Sequence, residues 1–462
     1  MNQKSSLKKI KNKKFLKVCE TLVSEMKRLK TPGLSIGIYH NGQEYSAGFG
    51  VTSLENPLPV TPDTLFQTGS ISKTFTGTVL MRLVEQGKVD LDTTVRTYLP
   101  KFKMADKDVA ERVTIRHLLT HTGGWIGDYF NEYGNGDEAL EKMLRDIAKL
   151  EQVTPLGKIF SYNNAGFNIA GRVVEVVTGK PFEQAAQELV LDPLGLDMTY
   201  YFPDDVMVTH RFVVGHHKED KKVKVSRPWA IGRAGAPVGG VISTVKDLLT
   251  YARFHMGDGV SAGGEKILSV KSLRAMRKPQ YPATGFDHIG LTWFIRNAGG
   301  LDIFTHGGAT HGQMAGLYFI PEKEFALAVL ANEEDGRLVI KTAIKKALQV
   351  YFEIDTPSPT SQEMPRDALL EYQGNYELPM TAFELKVKKG HLVLYDKPRG
   401  GFPTPDSPPL PASPPMRMAF YEKDKIIMLD EPMKDSLGEF LRDADGVLQY
   451  FRLSSRVHKK LD

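Results

Sequence analysis

Ser70 and Lys73 stand three positions apart in Ser70-Ile71-Ser72-Lys73, at the head of a stretch whose pattern is helical. That spacing puts both side chains on one helix face, within reach of each other. A serine hydroxyl is a weak nucleophile until a base takes its proton, and a lysine partly desolvated in a pocket has its pKa lowered enough to act as that base. Free backbone N–H groups at a helix N-terminus also favour developing negative charge. The chemistry such a pair supports is attack on a carbonyl carbon. A serine and a lysine often meet this spacing by chance, so taken alone the pair reads as a surface helix before it reads as a site. Two further groups lie at suitable places. Tyr162-Asn163-Asn164 sits at a loop-to-helix junction, and His306-Gly307-Gly308-Ala309 ends a strand in front of a hairpin. Tyr162 is open to reading as a core aromatic, and His306 as a strand-end histidine bonded to backbone. An ordinary histidine is largely neutral at pH 7.

The elements that must position these residues follow from periodicity. Leu7, Ile10, Phe15, Val18, Leu22 and Met26, with lysines between them, predict an amphipathic helix over 7–30. Residues 33–40 and 44–51 alternate around Asn41-Gly42, the signature of a hairpin. From 66 to 245 the pattern is helical and loop-rich, with helices predicted over 70–86, 114–120 and 164–177, each followed by glycine. Thr244-Val245-Lys246-Asp247 heads a further helix running to about His255. Strands are predicted over 291–296, 302–305, 316–320 and 325–330, then a helix over 338–352. The sheet is thus drawn from both ends of this region, around a helical insertion. The polar, proline-bearing stretch 353–362 marks a linker, and short alternating segments beyond 365 predict a small all-β sandwich or barrel. Prolines crowd residues 400–415, which predicts an exposed loop.

Taken together, the Ser70, Tyr162 and His306 motifs resemble those of the serine β-lactamase and penicillin-binding-protein superfamily. The order matches, as do Phe66-Gln67-Thr68-Gly69 ahead of Ser70, His117-Leu118-Leu119-Thr120-His121-Thr122-Gly123-Gly124, Pro193-Leu194-Gly195-Leu196 and Gly239-Gly240-Val241-Ile242-Ser243-Thr244. The resemblance is to the class C-like esterase and D-aminopeptidase branch and covers about residues 30–345. It implies an α/β (α+β) fold, with an antiparallel sheet flanked by helices and an all-helical insertion, over 1–355. A linker at 356–367 and a lipocalin-like all-β barrel at 368–462 complete the expected division, Tyr372-Gln373-Gly374-Asn375-Tyr376 fitting the start of such a barrel. The resemblance further implies that Ser70 attacks, that Lys73 and Tyr162 share base and acid duty, and that Asn164 bonds Lys73 or a substrate amide. It sets the oxyanion between the N–H groups of Ser70 and Ala309, with Gly307 and Gly308 allowing close approach of an edge strand. Trp125 is a candidate for the cleft wall. His306 stands where classical β-lactamases have lysine, which favours esters, amides or peptides over a dedicated β-lactamase. No cofactor or metal is implied. In relatives of this kind the barrel caps the cleft or mediates assembly, so a homo-oligomer fits.

At 462 residues the chain has room for two domains, and 41% apolar with 25% charged residues excludes a disordered or fibrous protein. The net charge of +5 gathers in an N-terminal arm (Lys4, Lys8, Lys9, Lys11, Lys13, Lys14, Lys17), so the reading is a solvated helix face rather than a nucleic-acid or membrane-surface protein. Cys19 is the single cysteine, no apolar run approaches the ~20 residues of a membrane span, and no export signal interrupts the early charges; the expected location is the cytoplasm. His117 and His121 share a helix face without an evident third ligand, so metal binding is a minor reading. His216-His217 fall in a lysine-rich loop, and His311 is a second candidate for the cleft. Three functions remain from sequence: a serine hydrolase acting on a small molecule or short peptide, a catalytically silent binding protein with the same pocket, and a nucleic-acid or membrane-surface binder.

Overall fold

In the computed structural model residues 7–8, 10–208, 210–283, 287–379, 381–399 and 412–461 are described. Two stretches far apart in the chain build one antiparallel sheet. The first supplies β1 (Gly33–His40) and β2 (Gln43–Gly50); the second supplies β3 (Tyr281–Pro282), β4 (Asp287–Ile289), β5 (Phe294–Ala298), β6 (Leu301–Ala309), β7 (Met314–Ile320) and β8 (Phe325–Ala331). Their order is β2-β1-β8-β7-β6-β5-β4-β3, with β1 and β8 paired from Leu34–Ala331 to His40–Phe325. All residues of β8 are buried, as an apolar run covered on both sheet faces must be.

The helices that cover the sheet or carry the site are α1 (Lys13–Leu29), α2 (Ser72–Glu85), α3 (Asn164–Thr178), α4 (Val245–Met256) and α5 (Gly336–Phe352). On one face Val18, Leu22 and Met26 of α1 and Val339, Ala343 and Ala347 of α5 bury Leu34, Ile36 and Ile38 of β1. On the other, Leu248 and Ala252 of α4, Phe75 and Val79 of α2 and Phe167 and Val173 of α3 share a core with Leu317, Phe319, Ala328 and Leu330. The apolar spacing predicts one run from residue 7, but the helix over Lys13–Leu29 begins at a cap of its own, the Asn12 side chain accepting from the Phe15 N–H at 2.9 Å. The lysine-rich loop expected around His216 is a two-stranded hairpin, His216–Glu219 against Lys222–Val225. His216 is buried there, its Nδ1 bonded to the Asn332 carbonyl at 2.7 Å.

Beyond α5 the chain runs without helix or strand to residue 361, and Gln362 then pairs with Phe420. The strands that follow are β9 (Gly374–Glu377), β10 (Thr381–Lys388), β11 (His391–Pro398), β12 (Met416–Glu422), β13 (Lys425–Met428), β14 (Leu437–Arg442), β15 (Leu448–Leu453) and β16 (Arg456–Leu461). They form a closed barrel, β16 returning to pair with β9. Tyr376, Leu385, Leu394, Met418, Phe420, Phe440 and Phe451 fill it, and Leu369 and Tyr372 from the preceding segment join this core. Most of the expected proline-rich loop, residues 400–411, lies outside the described residues.

Candidate active site

Gly69–Ile71 form a single 3-10 turn that runs into α2 at Ser72, so Ser70 lies just before the α-helix rather than opening it. This turn is stapled to a distant segment. Thr68 donates its N–H and its hydroxyl to the Val241 carbonyl, both at 2.9 Å. Ser72 Oγ accepts from the Val241 N–H at 2.9 Å and donates to the Gly69 carbonyl at 2.7 Å, and Thr76 donates to the Pro237 carbonyl at 2.7 Å. The motif from Gly239 to Thr244 thus supports the serine turn from behind.

Lys73 is fully buried, with Nζ 3.0 Å from Ser70 Oγ and 2.9 Å from the Val238 carbonyl. The rings of Tyr162 and Phe167 lie 5.1 and 5.7 Å from it. Burial, and secondarily the charge of Arg456, hold its pKa well below the usual lysine range, with Asp128 opposing. Nζ thus lies between the Val238 carbonyl and the Ser70 hydroxyl, where burial favours the uncharged form. Tyr162 arrives from the head of α3, which Asn163 caps by accepting from the Gly166 N–H at 2.8 Å. Its phenol lies against the Ser70 hydroxyl, and burial pushes its pKa up, so it stays protonated. The ring stacks on His121 at 4.4 Å, and His121 Nδ1 accepts from the Asn163 N–H at 2.9 Å. His117 closes a turn instead, its Nδ1 accepting from the Thr114 N–H at 3.1 Å. Among the described residues no group of three or more His, Cys, Asp or Glu is placed to hold a metal ion.

The strand bearing His306 is not an edge strand. β6 pairs with β5 only as far as Thr305–Phe294, yet continues against β7 to Ala309–Met314. Residues 306–309 therefore have one free side, and it faces the serine turn. A Cβ on Gly308 would stand 1.8 Å from the Thr68 carbonyl oxygen and 2.9 Å from Ser70 N; one on Gly69, where φ is +51°, would stand 2.6 Å from Ala309 N. Only glycines permit this approach, which sets the serine turn directly against residues 308 and 309 of β6. Gly307 is a different case, since a Cβ there meets Ala315 O at 3.6 Å, an ordinary contact. His306 itself is buried, donating from Nδ1 to the Gly307 carbonyl at 2.6 Å, and its Nε2 has no partner. Burial and the nearby Lys73 lower its pKa to about 3. It packs behind Tyr162 and Phe294, with ring centroids 6.2 and 5.4 Å away, and does not line the cavity.

That cavity, about 650 Å³, is walled by Ser70, Trp125, Tyr162, Asn164, Ala309 and His311 on one side and by Leu378, Pro379, Thr381 and Arg456 of the barrel region on the other. Trp125 is buried on its wall with Nε1 unpartnered. Of the two partners expected for Asn164, Lys73 is not the one it takes: its Nδ2 donates to Asp128 Oδ1 at 2.6 Å, and its Oδ1, on the cavity wall, has no partner. Asp128 and Arg456 were not singled out from sequence. Arg456 donates to both carboxylate oxygens of Asp128, at 2.7 and 3.1 Å, and its guanidinium lies 5.0 Å from the Tyr162 ring centroid. The two residues are 328 positions apart, and no local pattern marks either.

An antiparallel sheet between helices, with a Ser-x-x-Lys turn and a tyrosine gathered against one of its strands, is the architecture of the serine β-lactamase and penicillin-binding-protein class. The β-lactamase family model matches residues 20–350, and the chain belongs to that family. Penicillin-binding protein 4 of Amycolatopsis lactamdurans is 33% identical over 314 residues, covering 65% of this chain and 81% of that protein. The unguisins hydrolase ungD′ of Aspergillus campestris is 25% identical over 410 residues, 78% of this chain and 75% of its own. A crystal structure of SurE superposes over the full length of both chains with a TM-score of 0.77 at 22% identity, a likeness of fold that includes the barrel. Among the described residues no helix is long and apolar enough to cross a membrane.

Proposed function

We propose that this chain is a serine hydrolase that forms an acyl-enzyme on Ser70 with a peptide, amide or ester. The observation that carries the reading is the Ser70 hydroxyl 3.0 Å from a buried lysine amine, whose pKa burial lowers well below the usual lysine range. Lys73 takes the hydroxyl proton as Ser70 Oγ bonds to the substrate carbonyl carbon. The oxyanion that forms is met by the N–H groups of Ser70 and Ala309, each such donor being worth ~3 kcal/mol of barrier. Tyr162, held protonated, gives its proton to the departing nitrogen or oxygen as the carbonyl re-forms, and recovers one from Lys73. Water then repeats the sequence on the ester and frees Ser70.

The cavity has the size for a small molecule or short peptide. Arg456, the cation on its wall, is already matched by Asp128, and His306 is neutral. A substrate carboxylate, as carried by β-lactams, therefore finds no free positive charge among the described residues of the wall, which supports an esterase or D-amino-acid-type peptidase over a dedicated β-lactamase. Cys19, buried and single, needs no oxidising compartment and supports a cytoplasmic setting.

The test is labelling by a fluorophosphonate probe together with turnover of nitrophenyl esters, D- and L-aminoacyl anilides and a chromogenic cephalosporin. Labelling at Ser70 that vanishes in Ser70→Ala, with ester or anilide turnover, supports the proposal. A wild type that binds these compounds without turnover would make it a silent penicillin-binding-like protein, and turnover of the cephalosporin alone would reverse the substrate ranking.

A further inference from the structure

Residues 160–162 lead into the tyrosine motif and end on its Tyr162, and the barrel grips all three. Arg452 Nη1 donates to the Phe160 carbonyl at 2.8 Å, the Val457 N–H donates to Ser161 Oγ at 3.2 Å, and the Tyr162 N–H donates to the Ser455 carbonyl at 2.8 Å. Arg452 is itself buried and paired with Glu439, so its guanidinium is fixed before it reaches Phe160. The turn between β15 and β16 that delivers these groups has Ser454 and Ser455 at φ +51° and +64°, a conformation L side chains disfavour. Such strain persists only where surrounding contacts over-determine it, and it gathers at functional sites. The same turn places Arg456 against the Tyr162 ring and in a two-pronged pair with Asp128, which in turn holds the Asn164 amide.

We infer that the barrel turn at 454–457 is part of the acylation apparatus, with Arg456 the positioning residue that fixes Tyr162 directly and Asn164 through Asp128. This rests on the serine-hydrolase reading and deepens it. The Asp128–Arg456 pair is a matched charge set beside Lys73. The other groups facing that amine are Ser70 on its own turn, Tyr162 from the head of α3, and the neutral rings of His121 and His306. Removing one member leaves the other as an unopposed charge on the cavity wall beside Lys73. Arg456 depresses the Lys73 pKa and Asp128 raises it, so the two deletions act in opposite directions.

The experiment measures the rate of fluorophosphonate labelling at Ser70, located by peptide mass spectrometry, across pH 5 to 10 in the full-length chain. In Arg456→Gln, the unopposed Asp128 carboxylate should move the acid limb to higher pH by about one unit. In Asp128→Asn, the unopposed guanidinium should move it to lower pH by a similar amount. In the double variant the limb returns towards the wild type while the plateau rate stays at least tenfold down, because the grip on Asn164 and the tyrosine is gone. Arg456→Lys, which keeps the charge but not the fork, should keep the limb and lower only the plateau. It also serves if Arg456→Gln fails to fold. Identical limbs in all variants, with Ser70 still labelled, would overturn the role of Arg456 and leave the hydrolase reading intact; a wild type that does not label at Ser70 would overturn that reading itself.

Discussion

Lys73 is buried as completely as any leucine of the core, yet its Nζ is held by a carbonyl on one side and the Ser70 hydroxyl on the other. An ammonium ion in that position would forfeit much of its hydration for two contacts, which is why burial lowers the Lys73 pKa. Replacing Lys73 by Ala should lower the rate of Ser70 acylation 10²–10⁴-fold, the range general-base catalysis supplies. In the wild type the same rate should fall as pH drops through the depressed pKa of Lys73, because the protonated amine cannot take the serine proton. Stopped-flow ester hydrolysis under single-turnover conditions reads both, and an unaltered rate in Lys73→Ala would assign the base elsewhere. A second contrast lies at 307–308. Gly308→Ala puts a methyl group on the Thr68 carbonyl and pushes β6 off the serine turn, so kcat/KM should fall ~10²-fold or more, the cost of one displaced oxyanion donor. Gly307→Ala, with space for its methyl, should stay within a few-fold of wild type. Equal effects at the two positions would mean that the strand does not bring the Ala309 amide to the oxyanion.

Strands and helices hold these residues through a few buried polar ties. Asn332, at the end of β8, accepts from the Gly33 N–H at 2.6 Å and donates to the Val51 and Thr52 carbonyls at 3.1 and 3.0 Å, locking the first hairpin to the second half of the sheet. Asn332→Leu leaves the Gly33 N–H and the Val51 carbonyl unpaired, the Thr52 carbonyl keeping the Val214 N–H at 3.0 Å, and unfolding by urea should show a loss of about 3 kcal/mol; a loss below ~1 kcal/mol would mean that water replaces the amide. The parts of this architecture visible in the sequence are those with a local cause. The hairpin at 33–50 showed itself by alternation around Asn41-Gly42, and α3 by a helical pattern with a glycine behind it, while the Asn163 cap shows only in the structure. β3 and β4 span two and three residues, too short for any period to register, and β6 runs past its expected end because Gly307 and Gly308 carry no side-chain pattern. Ser70 and Lys73 were legible as helix neighbours. Asp128 and Arg456 were not, because an ion pair closed across 328 positions leaves no trace in the spacing of either member.

At the scale of the whole molecule, three histidines couple both halves to pH. His255 of α4 is buried against Trp293 and bonded to Thr78, His306 lies behind the site, and His458 of β16 is buried against Phe383 and bonded to Thr381. Burial, first among the causes in each, lowers their pKa values to about 3, about 3 and about 4. Unfolded, each would titrate near 6.5. The folded pKa lies below the unfolded one, so between the two the unfolded chain binds protons that the folded chain refuses. The contribution is therefore complete above pH 6.5 and is lost progressively as pH falls towards 4 and 3. From pH 6.5 to 5.5 each histidine should shed about 1 kcal/mol, or about 3 kcal/mol for the three. Because Arg452, Ser455 and Val457 of the barrel bond directly to residues 160–162 beside the sheet, loss on either side loosens the seam that holds Tyr162. Urea unfolding followed at pH 7.0 and 5.5 should show tryptophan fluorescence and far-ultraviolet dichroism falling to lower midpoints together. A His255→Gln chain, already less stable at pH 7, should lose about 1 kcal/mol less between the two conditions. Unchanged midpoints would show that these rings take up protons inside the fold, which their apolar surroundings forbid.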